Sequence, residues 1–559
     1  MERRPVRHAL PRRNMNPDPS STTVAQGILA VTGLAVFLLP AFIPSTVLDR
    51  HPHHSARMAT LLAAFALGTS ILLAALIAGF GPSSPHVCAC GPVSIDFRLD
   101  SLASLLSLLV SFLALIIIRY SANYLSGDPH QGRFTKWLCL TCGCVLLMVL
   151  SGNLLLFALA WSATSWCLHR LLVFYPERPG ALLAARKKFI FSRLGDACLS
   201  VVLILIYDKF HTWDFRRVFA ASDEIRNAAG GHLSLGLEIC CYLLVIAALL
   251  KSAQFPFHSW LPDTMETPTP VSALMHAGVI NAGGFLIVRL SPFITLCPGA
   301  LALLTLLGGF TALFASLTML THASVKRALA FSTVAQMGFM MLECGLGAFS
   351  LAILHLVAHS LYKAHAFLSS GSMIALARAK WVPVGRPQAH PGVLQASVLL
   401  ALVLTWGASR LLGFLTQDDP SYFLLMLILL LSQAYMLWNL LSSSLRLSLL
   451  FWGVSMGMGL SLVYFALHRL FIWALKTSVH DQVYAWTDYH IGAGLAVMLL
   501  FLAVLFFQME LPQWEQNQAY KTLYVHARNG FYFNTLANHL VMKIWPGKRE
   551  STSNQAQQA

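Results

Sequence analysis

About fifteen apolar runs, each near twenty residues long and separated by short polar breaks, occupy most of this 559-residue chain. They begin near residues 25, 57, 99, 137, 153, 189, 235, 270, 298, 327, 348, 392, 423, 447 and 489. A helix needs about 20 apolar residues to cross the hydrocarbon core of a bilayer, and only helices or closed barrels satisfy their backbone groups there. The expected fold class is an all-α integral membrane protein with about 15 transmembrane helices. Composition agrees: 57% of residues are hydrophobic and 11% charged, against about 25% charged in soluble domains.

The net charge of +15 does not point to nucleic acid. Lys and Arg fall mostly between apolar runs, the distribution that orients membrane proteins. Residues 1–24 read as a polar N-terminal segment carrying Arg3, Arg4, Arg7, Arg12 and Arg13. The first apolar run ends in no small-residue cleavage site and reads as a retained span. Residues 25–508 read as the transmembrane domain and 509–559 as an extramembrane tail, a candidate docking surface or an interfacial helix with an aromatic belt. The basic connection 170–188 and the basic tail fall on one side in a fifteen-span count. Positive-inside assigns that side to the cytoplasm, although the five N-terminal arginines pull the other way.

Most of the eleven cysteines lie in apolar runs, where free Cys packs as a small hydrophobe. His86, Cys88 and Cys90 cluster in a loop, but they lack the fourth ligand and spacing of a zinc site. No metal is expected on this chain.

An ionisable group in a spanning helix costs about 2.5–3.5 kcal/mol on insertion scales, so such residues are functional candidates. Lys251 ends an apolar run just before Pro256, where a helix must break; broken helices in membranes line protein interiors or hydrated cavities. His276 stands about two turns inside a helix opened by Pro268 and Pro270, and histidine passes protons near neutral pH. His355, His359 and Lys363 recur at i, i+4 and i+8, which stacks them on one helix face, while His365 points elsewhere. Asp196 either pairs with Arg193 or faces Lys251. Arg193, Glu238 and Arg410 are secondary candidates.

The run Lys251-Ser-Ala-Gln-Phe-Pro-Phe-His-Ser-Trp-Leu-Pro-Asp-Thr-Met-Glu-Thr-Pro-Thr-Pro-Val-Ser-Ala-Leu-Met-His276 closely resembles the signature of the antiporter-like subunits of complex I and of Mrp cation/proton antiporters, most nearly the NADH dehydrogenase subunit 5 branch. Val325-Lys326-Arg327-Ala328-Leu329-Ala330-Phe331-Ser332-Thr333 and the His355/His359/Lys363 stripe match the same branch. The resemblance implies inverted five-helix repeats with broken helices and a hydrated polar axis through the membrane centre. Lys251 would be the central lysine of the first half-channel, and His276, His355, His359 and Lys363 would continue the path.

The chain departs from that pattern. The family's Trp-Glu is Trp161-Ser162 here, so the carboxylate is gone. The stretch around 392–420, where the family places a second broken helix with a lysine, holds Arg410, Asp418 and Asp419 and no lysine. The long lateral helix that ties complex I modules together is not evident. Leu168-His169-Arg170-Leu171-Leu172, Ala185-Arg186-Lys187-Lys188-Phe189 and the tail Leu523-Tyr524-Val525-His526-Ala527-Arg528 resemble the membrane subunits of DAB inorganic-carbon accumulation complexes. That resemblance implies a non-enzymatic, proton- or sodium-translocating subunit in a bacterial inner membrane. Its partner would be a large zinc protein (DabA) similar to a β-type carbonic anhydrase, and zinc would sit on the partner. A redox-driven pump subunit and an Mrp-type antiporter subunit are the alternatives.

Overall fold

The computed structural model describes residues 21–90, 93–228, 233–371, 391–414, 420–443, 447–479, 488–510 and 517–545. The N-terminal arginines, Asp418 and Asp419 lie outside the described residues. The chain opens with α1 (Ser21–Leu38), a short α2 (Ser45–Arg50) and α3 (Pro52–Phe80), then an antiparallel hairpin of β1 (His86–Cys90) and β2 (Val93–Asp96). The hairpin is where the sequence reading placed a loop; in it the His86 ring bonds the Asp96 carboxylate.

Next come α4 (Ser101–Tyr124), α5 (Gln131–Leu150), α6 (Leu154–Leu172), α7 (Pro179–Phe210), α8 (Phe215–Asn227) and α9 (Leu235–Lys251). A broken region follows, with α10 (Trp260–Asp263), α11 (Thr269–Ala277), α12 (Ala282–Arg289) and α13 (Ser291–Ile294). Then α14 (Pro298–Leu320), α15 (Val325–Gly345), α16 (Phe349–Leu368), α17 (Pro391–Leu411), α18 (Pro420–Ser443), α19 (Leu447–Leu475) and α20 (Asp488–Glu510) complete the bundle. The tail forms α21 (Gln518–Arg528) and α22 (Phe533–Ile544).

Among the described residues, fourteen helices are long and apolar enough to cross a membrane. The 17-residue α9 supplies the remaining run of the fifteen read from the sequence. Multi-pass insertion explains the exposed apolar belt, including Leu61, Ile204, Trp452 and Leu499. In water these side chains would be a large unpaired patch; in lipid they face their natural solvent.

Pro256 and Pro262 keep the chain after Lys251 from continuing α9, because proline removes a donor and clashes with the preceding turn. Ala253 turns through φ +50°. Short 3-10 turns then carry the backbone to Pro268 and Pro270, which open α11 where the missing N–H costs nothing. A second interruption after Ala277 separates α11 from α12. The α14–α15 pair shows how close the backbones come. A Cβ on Gly308 would lie 2.6 Å from the Leu342 nitrogen, and one on Gly338 would lie 2.5 Å from the Ala312 nitrogen. Small residues are what permit such crossings in membranes.

One boundary differs from the sequence reading in a way that matters. The connection expected over 170–188 is short, because α7 begins at Pro179 and runs for 32 residues. Lys187 and Lys188, counted as orientation charges, are buried within it. Each has a partner that makes this tolerable. The Lys187 amine binds the Asp263 carboxylate and donates to Asn534 Oδ1 at 2.6 Å, and Lys188 donates to the Ser165 carbonyl at 2.6 Å.

A candidate ion pathway through the bundle

The first half of the site is built by α6, α7 and α9. Lys251 ends α9 and is 6% exposed. Its ammonium donates to Ser165 Oγ at 2.6 Å and to the Trp161 carbonyl at 3.2 Å, and it lies 4.2 Å from the centre of the Trp161 ring. Lys188 reaches the backbone carbonyl of the same Ser165. One serine thus receives two buried lysines, one on its hydroxyl and one on its carbonyl. Asp196 lies 2.7 Å from Arg193 as an i, i+3 pair on α7. Its field still reaches Lys251 and Lys188, but it makes no hydrogen bond to either.

The middle of the site lies at the breaks. Ser252 and Gln254 are fully buried, and Ser252 donates to the Ile280 carbonyl. Asn281 donates to Ser360 Oγ at 2.7 Å, tying the α11–α12 interruption to α16 one residue beyond His359. The Gln254 and Asn281 side-chain oxygens have no hydrogen-bond partner among the described residues.

The second half is built by α11, α15 and α16. His276 is fully buried, pairs through Nδ1 with Thr333 Oγ1 at 3.1 Å and stacks on Phe367 at 4.3 Å. Lys363, also fully buried, donates to Ser332 Oγ at 2.8 Å and to the Leu329 carbonyl at 3.2 Å. His359 is buried with neither ring nitrogen bonded among the described residues. It interacts electrostatically with His355, Lys363 and His276, so the four groups form one cluster. His355 pairs with Glu343 Oε2 at 3.0 Å. The i, i+4, i+8 stripe read from the sequence therefore faces inward as a unit, whereas His365 is exposed.

Two secondary candidates stay away from this axis. Glu238 occupies the first turn of α9, roughly 20 Å from Lys251 along the helix at 1.5 Å per residue. Arg410 is exposed and lies over Trp406. Conversely, sequence reasoning missed Lys188 and Glu343. Lys188 was hidden by being read as connection charge. Glu343, in Leu342-Glu343-Cys344 of an apolar run, carried the same signal as Lys251, a charge where hydrocarbon was expected. Beyond it, Tyr464 interacts with Glu343, and His468 packs against Tyr422 at 5.0 Å and Phe414 at 5.2 Å. These residues extend the polar series into α19.

The arrangement can pass protons or hold ions by moving charge between closely spaced titratable groups. Among the described residues, no group of three or more His, Cys, Asp or Glu is placed to hold a metal ion.

Comparison with known proteins gives a consistent family. Residues 151–471 match the family described as NADH:quinone oxidoreductase/Mrp antiporter, TM, and residues 91–135 match the NADH-Ubiquinone oxidoreductase (complex I), chain 5 N-terminus. The chain is 41% identical over 462 residues to "Probable inorganic carbon transporter subunit DabB2" of Halothiobacillus neapolitanus, covering 82% of each chain. It is 44% identical over 306 residues to "Probable inorganic carbon transporter subunit DabB" of Hydrogenovibrio crunogenus, covering 53% of this chain and 57% of that one. Among solved structures it resembles a chain of the Mrp complex from Dietzia sp. DQ12-45-1b, with a TM-score of 0.59 at 20% identity over 94% of this chain and 61% of the other. That likeness concerns the fold.

Proposed function

The chain belongs to the NADH:quinone oxidoreductase/Mrp antiporter family and, within it, to the DabB inorganic-carbon transporter subunits, and from that premise we propose that it conducts protons, or sodium ions, to drive inorganic-carbon accumulation. The observation that carries this reading is the buried series Lys251, His276, Lys363 and His359, continued by the half-buried His355 to Glu343. Five cations or potential cations inside an apolar bundle cost too much to be kept for packing alone. Asp196 acts on Lys251 at a distance, through the field it shares with Arg193. One elementary charge crossing the membrane carries about 2.3 kcal/mol per 100 mV, enough to bias a hydration equilibrium severalfold.

Catalysis belongs to a partner. A large zinc-bearing, carbonic-anhydrase-like subunit would hydrate carbon dioxide, and this chain would supply direction, in a bacterial inner membrane. The tail is the proposed docking element, on the face assigned to the cytoplasm. It packs against α7, with the Trp545 ring over Arg186 and Asn534 between Lys187 and Asp263. Coupling needs a two-state element that both sites bias, and the tail touches both the broken region and the solvent side.

Purification of the chain from its native membrane in mild detergent, with mass spectrometry and zinc analysis of the co-purifying proteins, tests this reading. A large zinc-bearing partner is expected. Redox subunits would return the chain to the pump class, and Mrp subunits without zinc would return it to the antiporter class.

A further inference from the structure

A cavity of about 180 Å³ opens beside the first half of the site, between α5 and the end of α6. Arg133, His169 and Arg170 line it together with Trp137, and no carboxylate does. The Arg170 guanidinium is held over Trp137 and Trp166, at 5.6 and 5.1 Å, and that of Arg133 over Phe174 at 5.2 Å. Both guanidinium groups thus rest on aromatic rings, while the Arg133 backbone N–H donates to the Asp49 carboxylate at 2.6 Å. His169 forms part of the wall, and its Nδ1 is buried with no hydrogen-bond partner among the described residues. It interacts electrostatically with Lys188, behind the wall.

Behind that wall basic groups outnumber acidic ones. Lys188 and Lys251 converge on Ser165, and Lys188 interacts with Lys251 and Arg193. Asp196 is the one carboxylate in the group, and it already lies against Arg193. Trp161 Nε1 and Arg193 Nε are further buried donors without a hydrogen-bond partner among the described residues. Buried charges are normally paired, and an uncompensated one costs several kcal/mol. The cluster gathers three basic side chains around one carboxylate, with spare donors on Trp161 and Arg193 beside Asp196 oxygens that accept no hydrogen bond among the described residues, and basic side chains line the neighbouring cavity.

We propose that this basic cavity and the Lys188–Ser165–Lys251 cluster behind it form a binding site for a small monovalent oxyanion, the class to which bicarbonate belongs. Planar oxyanions accept several charge-assisted hydrogen bonds at once, and guanidinium forks match that geometry. A water's share of liquid volume is about 30 Å³, so the cavity admits a four-heavy-atom anion with part of its hydration shell. The cavity lies at the end of α6, on the side that positive-inside assigns to the cytoplasm, so the anion would be bound from that side. The inference uses the inorganic-carbon reading only to choose bicarbonate as the first probe; an equilibrium binding measurement can fail without touching the proposed ion path.

The test is the thermal stability of the full chain in nanodiscs of zwitterionic lipid, titrated at fixed pH and ionic strength with bicarbonate, nitrate or chloride. A ligand that binds only the native state raises the melting temperature in a saturable way. Bicarbonate and nitrate are expected to do so. Lys188→Met should weaken the apparent affinity at least tenfold, about 1.4 kcal/mol, and Lys188→Arg should retain it. If Lys188→Met does not fold, Arg133→Gln on the cavity wall should weaken the response by a similar factor. Any of four results would overturn the proposal: no saturable shift in the wild type, a response to chloride alone, or a response unchanged in Lys188→Met and Arg133→Gln. The fourth is stabilisation that appears only when anionic lipid is present and is not competed by bicarbonate, which would assign the cavity to a lipid headgroup.

Discussion

The two halves of the buried axis solve the same problem differently. Around Lys251 the polar groups are mostly cations held by neutral acceptors: a serine hydroxyl, two backbone carbonyls and an indole face. Around Lys363 the charge is graded, from a lysine through two histidines to the Glu343 carboxylate. A lysine held by neutral dipoles keeps its hydrogen bonds whether or not a carboxylate is near. A histidine series ending on an acid relays a proton in steps. Under the proposed ion path, the first half would receive charge and the second half would move it.

The severest test of that contrast removes the lysine from each half. Lys251→Met and Lys363→Met keep most side-chain volume, and each should reduce inorganic-carbon uptake in cells to background. Correct insertion, checked by the melting profile of the purified chain, should be retained. If either variant keeps full uptake, that half is not on the path. Next in size is Glu343→Gln, which leaves His355 without its acid and should slow proton flux in proteoliposomes about tenfold, a change equivalent to roughly 1.4 kcal/mol. Combining it with His355→Ala should add little, because both changes break one pair. Additive losses would show that Glu343 acts elsewhere, for example through Tyr464.

A smaller effect is expected from Ser165→Ala. Lys251 loses its hydroxyl acceptor and keeps the Trp161 carbonyl, while Lys188 keeps the Ser165 carbonyl. Because each lysine keeps a carbonyl acceptor, flux should fall measurably but by less than in Glu343→Gln or Lys251→Met. Equal losses would mean that the serine, not the lysine, is the group the ion needs.

The smallest effect lies outside the membrane. His322, in the turn between α14 and α15, stacks on Phe331 at 4.9 Å. Burial, then the nearby Arg327 and Arg528, hold its pKa below the ordinary imidazole value. The folded protein therefore resists a proton that the unfolded chain accepts. Stability from this group is present above the ordinary histidine range and is lost as pH falls through it. Because Arg528 belongs to the tail, the contact between tail and bundle should loosen on mild acidification. His322→Gln should flatten the acid side of the melting profile without changing it at neutral pH.

Much of this was legible in the residues. Run lengths gave the helices, because a bilayer of fixed thickness demands them, and Pro256 and Pro270 gave the first break. The inward stripe of His355, His359 and Lys363 followed from helical periodicity. Its match with the structure is close because one helix carries all three. Glu343 was equally visible as a charge in an apolar run and was overlooked.

What the sequence by itself determined is therefore local: which segments span, where they must break and which face of a single helix is polar. Tertiary structure alone decided the partners between helices. It put Lys188 beside Ser165 and Lys251 and left Asp196 with Arg193. It also stationed Asn534, more than 340 residues on in the chain, between Lys187 and Asp263, and left Glu238 and Arg410 off the axis. The physical reason is that periodicity and insertion cost act within one segment, whereas an ion pair or a shared acceptor depends on how helices cross, and no spacing along the chain records that angle.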